Sequence, residues 1–187
     1  MLADSAQTRY GLDISDAGGA LPPELIPALR ELLQLDGVVL TRAPEREKES
    51  GDYGACRLAL NGRAVVFRVA KTTPAKIGQF VTLWKRPVAG GEIAPFDSSD
   101  HIDLAIVSVA DAHHHGHFVF DRPALIKYGV MSHNGKGGKR AMRVYPPWST
   151  PLAKEAIKSQ QWQARYFVAP TPQHGGDTAL LRLLLHA

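Results

Sequence analysis

Cysteine is nearly absent from this 187-residue chain: Cys56 stands alone, which excludes an internal disulfide and a cysteine-built zinc site. It alternates with strand-like residues, as a small core hydrophobe would. No apolar run approaches the roughly 20 residues that a membrane helix needs. The opening MLADSAQTRYGLDISDAGGA lacks a basic segment followed by an apolar stretch, so no secretory signal is expected. No serine sits in a nucleophile elbow, and Cys56 has no papain-like surroundings. These absences predict a soluble cytoplasmic protein with no cofactor and no membrane partner. Residues 1–20 are expected to form a flexible arm, and residues 21–187 a single domain.

What is present is an uneven distribution of charge. The net charge is only +4, but residues 1–50 hold 5 Lys/Arg against 9 Asp/Glu, whereas residues 51–167 hold 16 against 8. The body of the domain is basic by +8. Such asymmetry points to an anionic partner, of which nucleic acid is the commonest.

Periodicity supplies the elements. Pro22-Pro23 followed by Leu25, Ile26, Leu29, Leu32 and Leu33 predicts a helix ending near Asp36-Gly37. Residues 37–42 read as a short strand, and the charged run EREKES as a solvated connection. Residues 53–60 and 63–70 are β-rich and joined by Asn61-Gly62, the preferred pair for a two-residue hairpin turn. Thr73-Pro74, then Ile77, Phe80, Val81 and Trp84, predict a helix to about Lys85. Strands are expected over 102–109, 118–120 and 141–145, with a short helix capped by Asp121 and stopped by Gly129. Residues 132–139, SHNGKGGK, read as a flexible basic loop. Thr150-Pro151 opens a helix reaching about Arg165, on which Lys154, Lys158, Gln161 and Arg165 form one stripe. A last apolar helix is expected over 177–186.

Helix, three strands, helix, strand is the core order of the PD-(D/E)xK nucleases, and several motifs sit where that superfamily places its own. Gly51-Asp-Tyr-Gly54 stands for Gly-x-x-Asp, Val69-Ala-Lys71 for the acid-x-Lys pair, and Gln79 with Trp84 for the Gln-aromatic pair. Lysine and glutamine match, but Gly54 and Val69 replace both carboxylates that would hold a divalent cation. Asp52 and Glu49 are the acids close enough in sequence to take over. Closer still, FRVAKTTPAKIGQFVTLWKR, GHFVFDRPALIKYGV, GKRAMRVYPPW and SQQWQARYF resemble the MepB family. That resemblance implies a nuclease-related fold with nucleic-acid binding. The expected class is therefore α/β (α+β), with a restriction-endonuclease-like mixed central sheet flanked by helices.

The resulting expectation is a nucleic-acid-binding protein with a degenerate active site and no catalytic or metal-binding residues. It would contact phosphates of DNA or RNA through a basic cleft, with little sequence specificity. Lys71, Gln79, Arg140 and Arg143 would form the cleft floor, with Lys154, Lys158 and Arg165 along its rim. Lys76, Lys85, Arg86, Lys139 and Trp148 complete the candidate contacts. Bland alternatives stand beside each: Lys71 can cap a strand end, Lys76, Lys85 and Arg86 can solvate a helix face, and Trp148 can pack under the proline turn. Trp84 and Trp162 read as core. His113, His114, His115 and His117 lie in a turn without the carboxylates or cysteines of a defined metal site. Two other functions fit the sequence: a metal-dependent nuclease with relocated carboxylates, and a protein-binding accessory factor in a stress or efflux response.

Overall fold

The computed structural model describes residues 21–35, 37–169 and 185. In chain order it contains helix α1 (Leu25–Leu33) and strands β1 (Leu40–Arg46), β2 (Cys56–Leu60), β3 (Arg63–Val69), β4 (Lys71–Thr73), β5 (Lys76–Thr82), β6 (Trp84–Lys85), β7 (Ala94–Pro95), β8 (Leu104–Ala110) and β9 (His115–Asp121). Helix α2 (Arg122–Lys127), strand β10 (Ala141–Val144), helix α3 (Lys154–Gln163) and strand β11 (Phe167–Val168) follow. Six strands form a mixed central sheet in the order β1-β2-β3-β8-β9-β11. Only β3 and β8 run parallel, with Val65 beside Leu104 and Val69 beside Ser108. The fold class is α+β.

The hairpin between β2 and β3 turns at Asn61-Gly62, with φ of 50° and 76°, the left-handed pair such a turn requires. Asn61 does a second job: its carboxamide accepts from Val39 N at 2.6 Å and donates to Gly37 O at 2.8 Å, fixing the entry to β1. Pro44 is tolerated because β1 is an edge strand with irregular register.

Strand β8 is apolar on both sides, and each side has its own core. Leu104 and Ile106 join Phe67, Leu58 and Val65 under Leu25, Leu29 and Leu32 of α1. Ala105, Val107 and Val109 join Phe118, Phe120 and Val66 on the opposite face, beneath Val81, Leu83, Met142, Val144 and Leu125. A strand buried on both faces reads as a near-continuous hydrophobic run, and residues 104–110 show one broken only by Ser108.

The largest departure from the sequence reading lies in residues 71–85. The predicted helix is a hairpin: β4 and β5 pair antiparallel, and β10 adds on the other edge to give a second sheet ordered β10-β5-β4. The helical spacing of Ile77, Phe80, Val81 and Trp84 does not describe a common buried face, since Ile77 is 46% exposed. Alternation wins instead, with Gln79, Val81 and Leu83 buried in turn against the central sheet. Gly78 at φ +81° would also interrupt a helix. Trp84 belongs to neither core and lies half-buried beneath Arg86, whose guanidinium is 5.5 Å from its ring centroid.

Elsewhere the boundaries move little. Asp121 caps α2 by accepting from Ala124 N at 2.9 Å. Helix α3 starts at Lys154, three residues after Pro151. The segment EREKES is partly strand rather than connection. The arm over 1–20 and nearly all of the helix expected over 177–186 lie outside the described residues. Among the described residues no helix is long and apolar enough to cross a membrane.

Candidate nucleic-acid interface

Residues paired directly across antiparallel strands share a face, and alternate residues share the opposite one. Phe80 is paired with Lys71 on one side and Arg143 on the other, so these three stand in one row on the outer face of the small sheet. Two strand spacings, roughly 10 Å, separate the two cations across Phe80. Tyr53, from the 3-10 turn Gly51–Tyr53, meets Phe80 edge-on with centroids 6.1 Å apart. The Lys71 ammonium lies 5.0 Å from the Tyr53 centroid, and the Arg143 guanidinium 6.0 Å from that of Phe80. A third ring, Tyr145, covers Gly78, where any side chain would come within 2.7 Å of it. Strands β4, β5 and β10 carry Lys71, Lys76 and Arg143 and no acid at all.

Hydrogen bonds from side chains to the backbone tie this face together. Arg143 donates to Gly78 O at 3.1 Å, Lys76 O at 3.4 Å and Thr73 Oγ1 at 2.6 Å, spanning the hairpin from one edge to the other. From α3, the buried Gln163 accepts from Tyr145 N at 2.8 Å and donates to Arg143 O at 2.9 Å. Gln79 faces the other way. It is 6% exposed, and its amide donates to Ala110 O at 2.6 Å and Thr72 Oγ1 at 3.1 Å, tying the small sheet to the end of β8. Gln79 therefore supports the face from behind and does not share it with Lys71.

The remaining candidates disperse. Lys85 is paired with Asp100 at 2.7 Å, and Arg86 with Glu49 at 2.7 Å, so both cations already have acids. Arg86 also donates to Gly91 O. Lys139 and Arg140 are exposed at the end of the Gly-rich loop. That loop is anchored rather than free. Asp97, 8% exposed, accepts from Ser132 Oγ at 2.7 Å, Gly135 N at 2.8 Å, and Ser99 N and Oγ at 3.0 and 2.8 Å. These bonds, Ser132 first, hold the Asp97 carboxyl well below the usual carboxylate range. Trp148 stacks on His114 at 5.1 Å and meets Phe167 edge-on at 5.7 Å, packing beside the second core. Lys158 and Arg165 line a groove with Tyr128 and Trp162, whose rings stack at 4.1 Å, and Lys158 is paired with Glu155 at 2.9 Å. Lys154 is exposed at the start of α3. None of the small-sheet cations lines that groove, so no single cleft gathers the whole set.

Gly54 and Val69 do meet in space: a Cβ on Gly54 would lie 2.8 Å from Val69 Cγ2. Both line a cavity of about 400 Å³ with Arg46, Asp52, Lys71 and Ser108. Two adjacent apolar positions cannot hold Mg²⁺, which needs oxygen ligands in near-octahedral array. Among the described residues no group of three His, Cys, Asp or Glu side chains is arranged to hold a metal ion. The histidines have other partners: His114 approaches Asp111 at 3.0 Å, while His115 and His117 share Glu31 at 3.4 and 2.9 Å. Burial alone would raise the Glu31 carboxyl, but these histidines outweigh it and hold it below its ordinary value. Glu49 bonds Arg86 through Oε1, while its buried Oε2 has no hydrogen-bond partner.

The MepB-like family profile matches residues 47–169, a span that takes in the whole small sheet. The chain belongs to the MepB-like family. Among solved structures, the "Crystal Structure of MepB" is similar, at 29% identity and a TM-score of 0.68, covering 82% of this chain and 99% of that one. Comparison with curated proteins finds no match. The MepB-like match explains why the motif blocks around Lys71, Arg143 and Trp148 are legible together. Tyr53 and Tyr145 carry no local signal that would place them beside Lys71 and Arg143, because that placement depends on the hairpin of β4 and β5.

Proposed function

We propose that this MepB-like protein binds nucleic acid without cutting it, contacting phosphates through the outer face of the small sheet with little sequence specificity. The row of Lys71, Phe80 and Arg143, in a sheet that contains no acid, carries this reading. Phosphate contacts of this kind give affinity without base readout. Lys76, Lys139 and Arg140 extend the positive field beyond the row, and the α3 cations Lys154, Lys158 and Arg165 offer a separate patch.

The same reading treats the fold as a degenerate relative of the PD-(D/E)xK nucleases. The adjacency of Gly54 and Val69 beside Lys71 supports that descent, since these are the positions where carboxylates would stand. Their apolar character removes the cation, and with it the cleavage chemistry.

A titration of labelled DNA and RNA at two salt concentrations tests the reading. Binding is expected to weaken steeply with salt. Absence of binding at the lower concentration overturns it. Time-dependent cleavage that needs Mg²⁺ and is lost in Asp52→Ala would replace it with an active nuclease.

A further inference from the structure

We infer that the cavity between the start of α1 and the ends of β3 and β8 binds a small zwitterion, an α-amino acid with an apolar side chain. Val69 and Ser108 stand side by side in its wall, near the carboxyl ends of the parallel strand pair of the central sheet, where open sheets commonly take their ligands. Four charged side chains line it, Arg46 and Lys71 of one sign and Glu24 and Asp52 of the other. Among the described residues none of the four makes a hydrogen bond or an ion pair through its side chain, and Lys71 only rests on the Tyr53 ring. The same wall holds a buried hydroxyl. Ser108 is 6% exposed, yet its side chain has no hydrogen-bond partner among the described residues. Helix α1 begins beside it at Glu24 without a side-chain cap, so its positive end faces the cavity uncompensated.

The balance of charge decides between ligands. A phosphate would gain Arg46 and Lys71 but meet Glu24 and Asp52 as like charges, and a cation would face the reverse. A zwitterion satisfies both pairs. Its carboxylate suits the two cations and the head of α1, its ammonium suits the two acids, and the Ser108 hydroxyl gains the partner it lacks. The rest of the wall, with Pro22, Val69, Ala70 and Ala110, offers an apolar side chain its contacts. A volume of about 400 Å³ falls within the range of small-molecule sites. The small sheet, by contrast, carries cations and no acid, so the two surfaces share Lys71 and differ in the charge they ask of a ligand.

Isothermal titration of the full chain tests the site with L-leucine, L-methionine and L-phenylalanine, each beside its amide, which lacks the carboxylate, and its deaminated acid, which lacks the ammonium. Inorganic phosphate is titrated as well. At least one amino acid is expected to bind about tenfold more tightly than its own amide or deaminated acid, the loss that follows when one charge-assisted contact is removed. Arg46 and Asp52 are exposed, so the fold should survive substitution of either. Arg46→Gln should weaken the amino acid and its deaminated acid by about tenfold and spare the amide. Asp52→Asn should weaken the amino acid and its amide and spare the deaminated acid. Failure of all three amino acids to bind at about 10 mM, tenfold above a millimolar dissociation constant, overturns the proposal. So does equal binding of the three forms, tighter binding of phosphate, or two variants that bind like the parent. None of these outcomes bears on the salt titration of nucleic acids, which reads the outer face of the small sheet.

Discussion

Strand β8 of the central sheet buries residues on both faces from Leu104 to Val109, whereas β5 of the small sheet buries Gln79 and Val81 and leaves Gly78, Phe80 and Thr82 half-covered. The two sheets also treat cations differently. Arg68 on β3 is 1% exposed and paired with Glu47 at 2.5 Å, and Glu47 reaches Arg57 at 2.6 Å as well. Burial pushes the Arg68 guanidinium down, and Glu47 opposes that shift. Three residues later, Lys71 is exposed and rests on an aromatic ring. The Arg68 charge is locked into the fold by Glu47, whereas the Lys71 charge stands at the surface over the Tyr53 ring.

The sharpest way to break this contrast is to remove the acid from the buried set. Glu47→Ala should destabilise the protein by about 3 kcal/mol, because it leaves Arg68 buried and unpaired. Urea denaturation measures the loss, and an unchanged midpoint would mean that Arg68 is not locked. Gly78→Ala comes next. It places a Cβ against the Tyr145 ring at a left-handed φ, at a cost of about 2 kcal/mol, read in the same experiment.

On the outward side, Lys71→Ala should leave the denaturation midpoint within about 0.5 kcal/mol of the parent, as surface changes do. It should also lower the slope of log affinity against log salt by about 1. A large stability loss would place Lys71 with the buried set.

Acid tests the anchored loop. Since the folded Asp97 carboxyl titrates below its ordinary value, its contribution is complete above about pH 4 and is lost as pH falls from there through the folded value. Hydrogen exchange at Gly135 N should therefore accelerate as pH drops below about 4, beyond the trend of exposed amides. The smallest effect concerns Cys56. Burial raises its thiol to about 11, so the native protein should react with a thiol reagent only on unfolding. Rapid labelling would show the core to be open.

The central sheet was readable in the chain because its signals are local. Asn61-Gly62 dictates its own turn, and the run from Leu104 to Val109, apolar except at Ser108, is short and β-branched as a buried strand is. Residues 71–85 misled because two patterns coexist there. Thr73-Pro74 suits both a helix start and a tight turn, and Ile77, Phe80, Val81 and Trp84 fit helical spacing. Burial against the central sheet and the left-handed Gly78 decide for strands, and neither is visible locally. The candidate site inherited the error. Lys71 and Arg143 do share a face, but Gln79 lies on the opposite one, and the rings beside those cations have no local signature. The acids that pair with Lys85 and Arg86, Asp100 and Glu49, approach them only through long-range folding.

Gln163 has a consequence of its own. Its carboxamide engages the main chain at Arg143 and Tyr145 as a neighbouring strand would, although it belongs to a helix. The end of β10 is thereby fastened to α3 through a single buried side chain, and shortening that side chain would strip two main-chain groups of their partners at once.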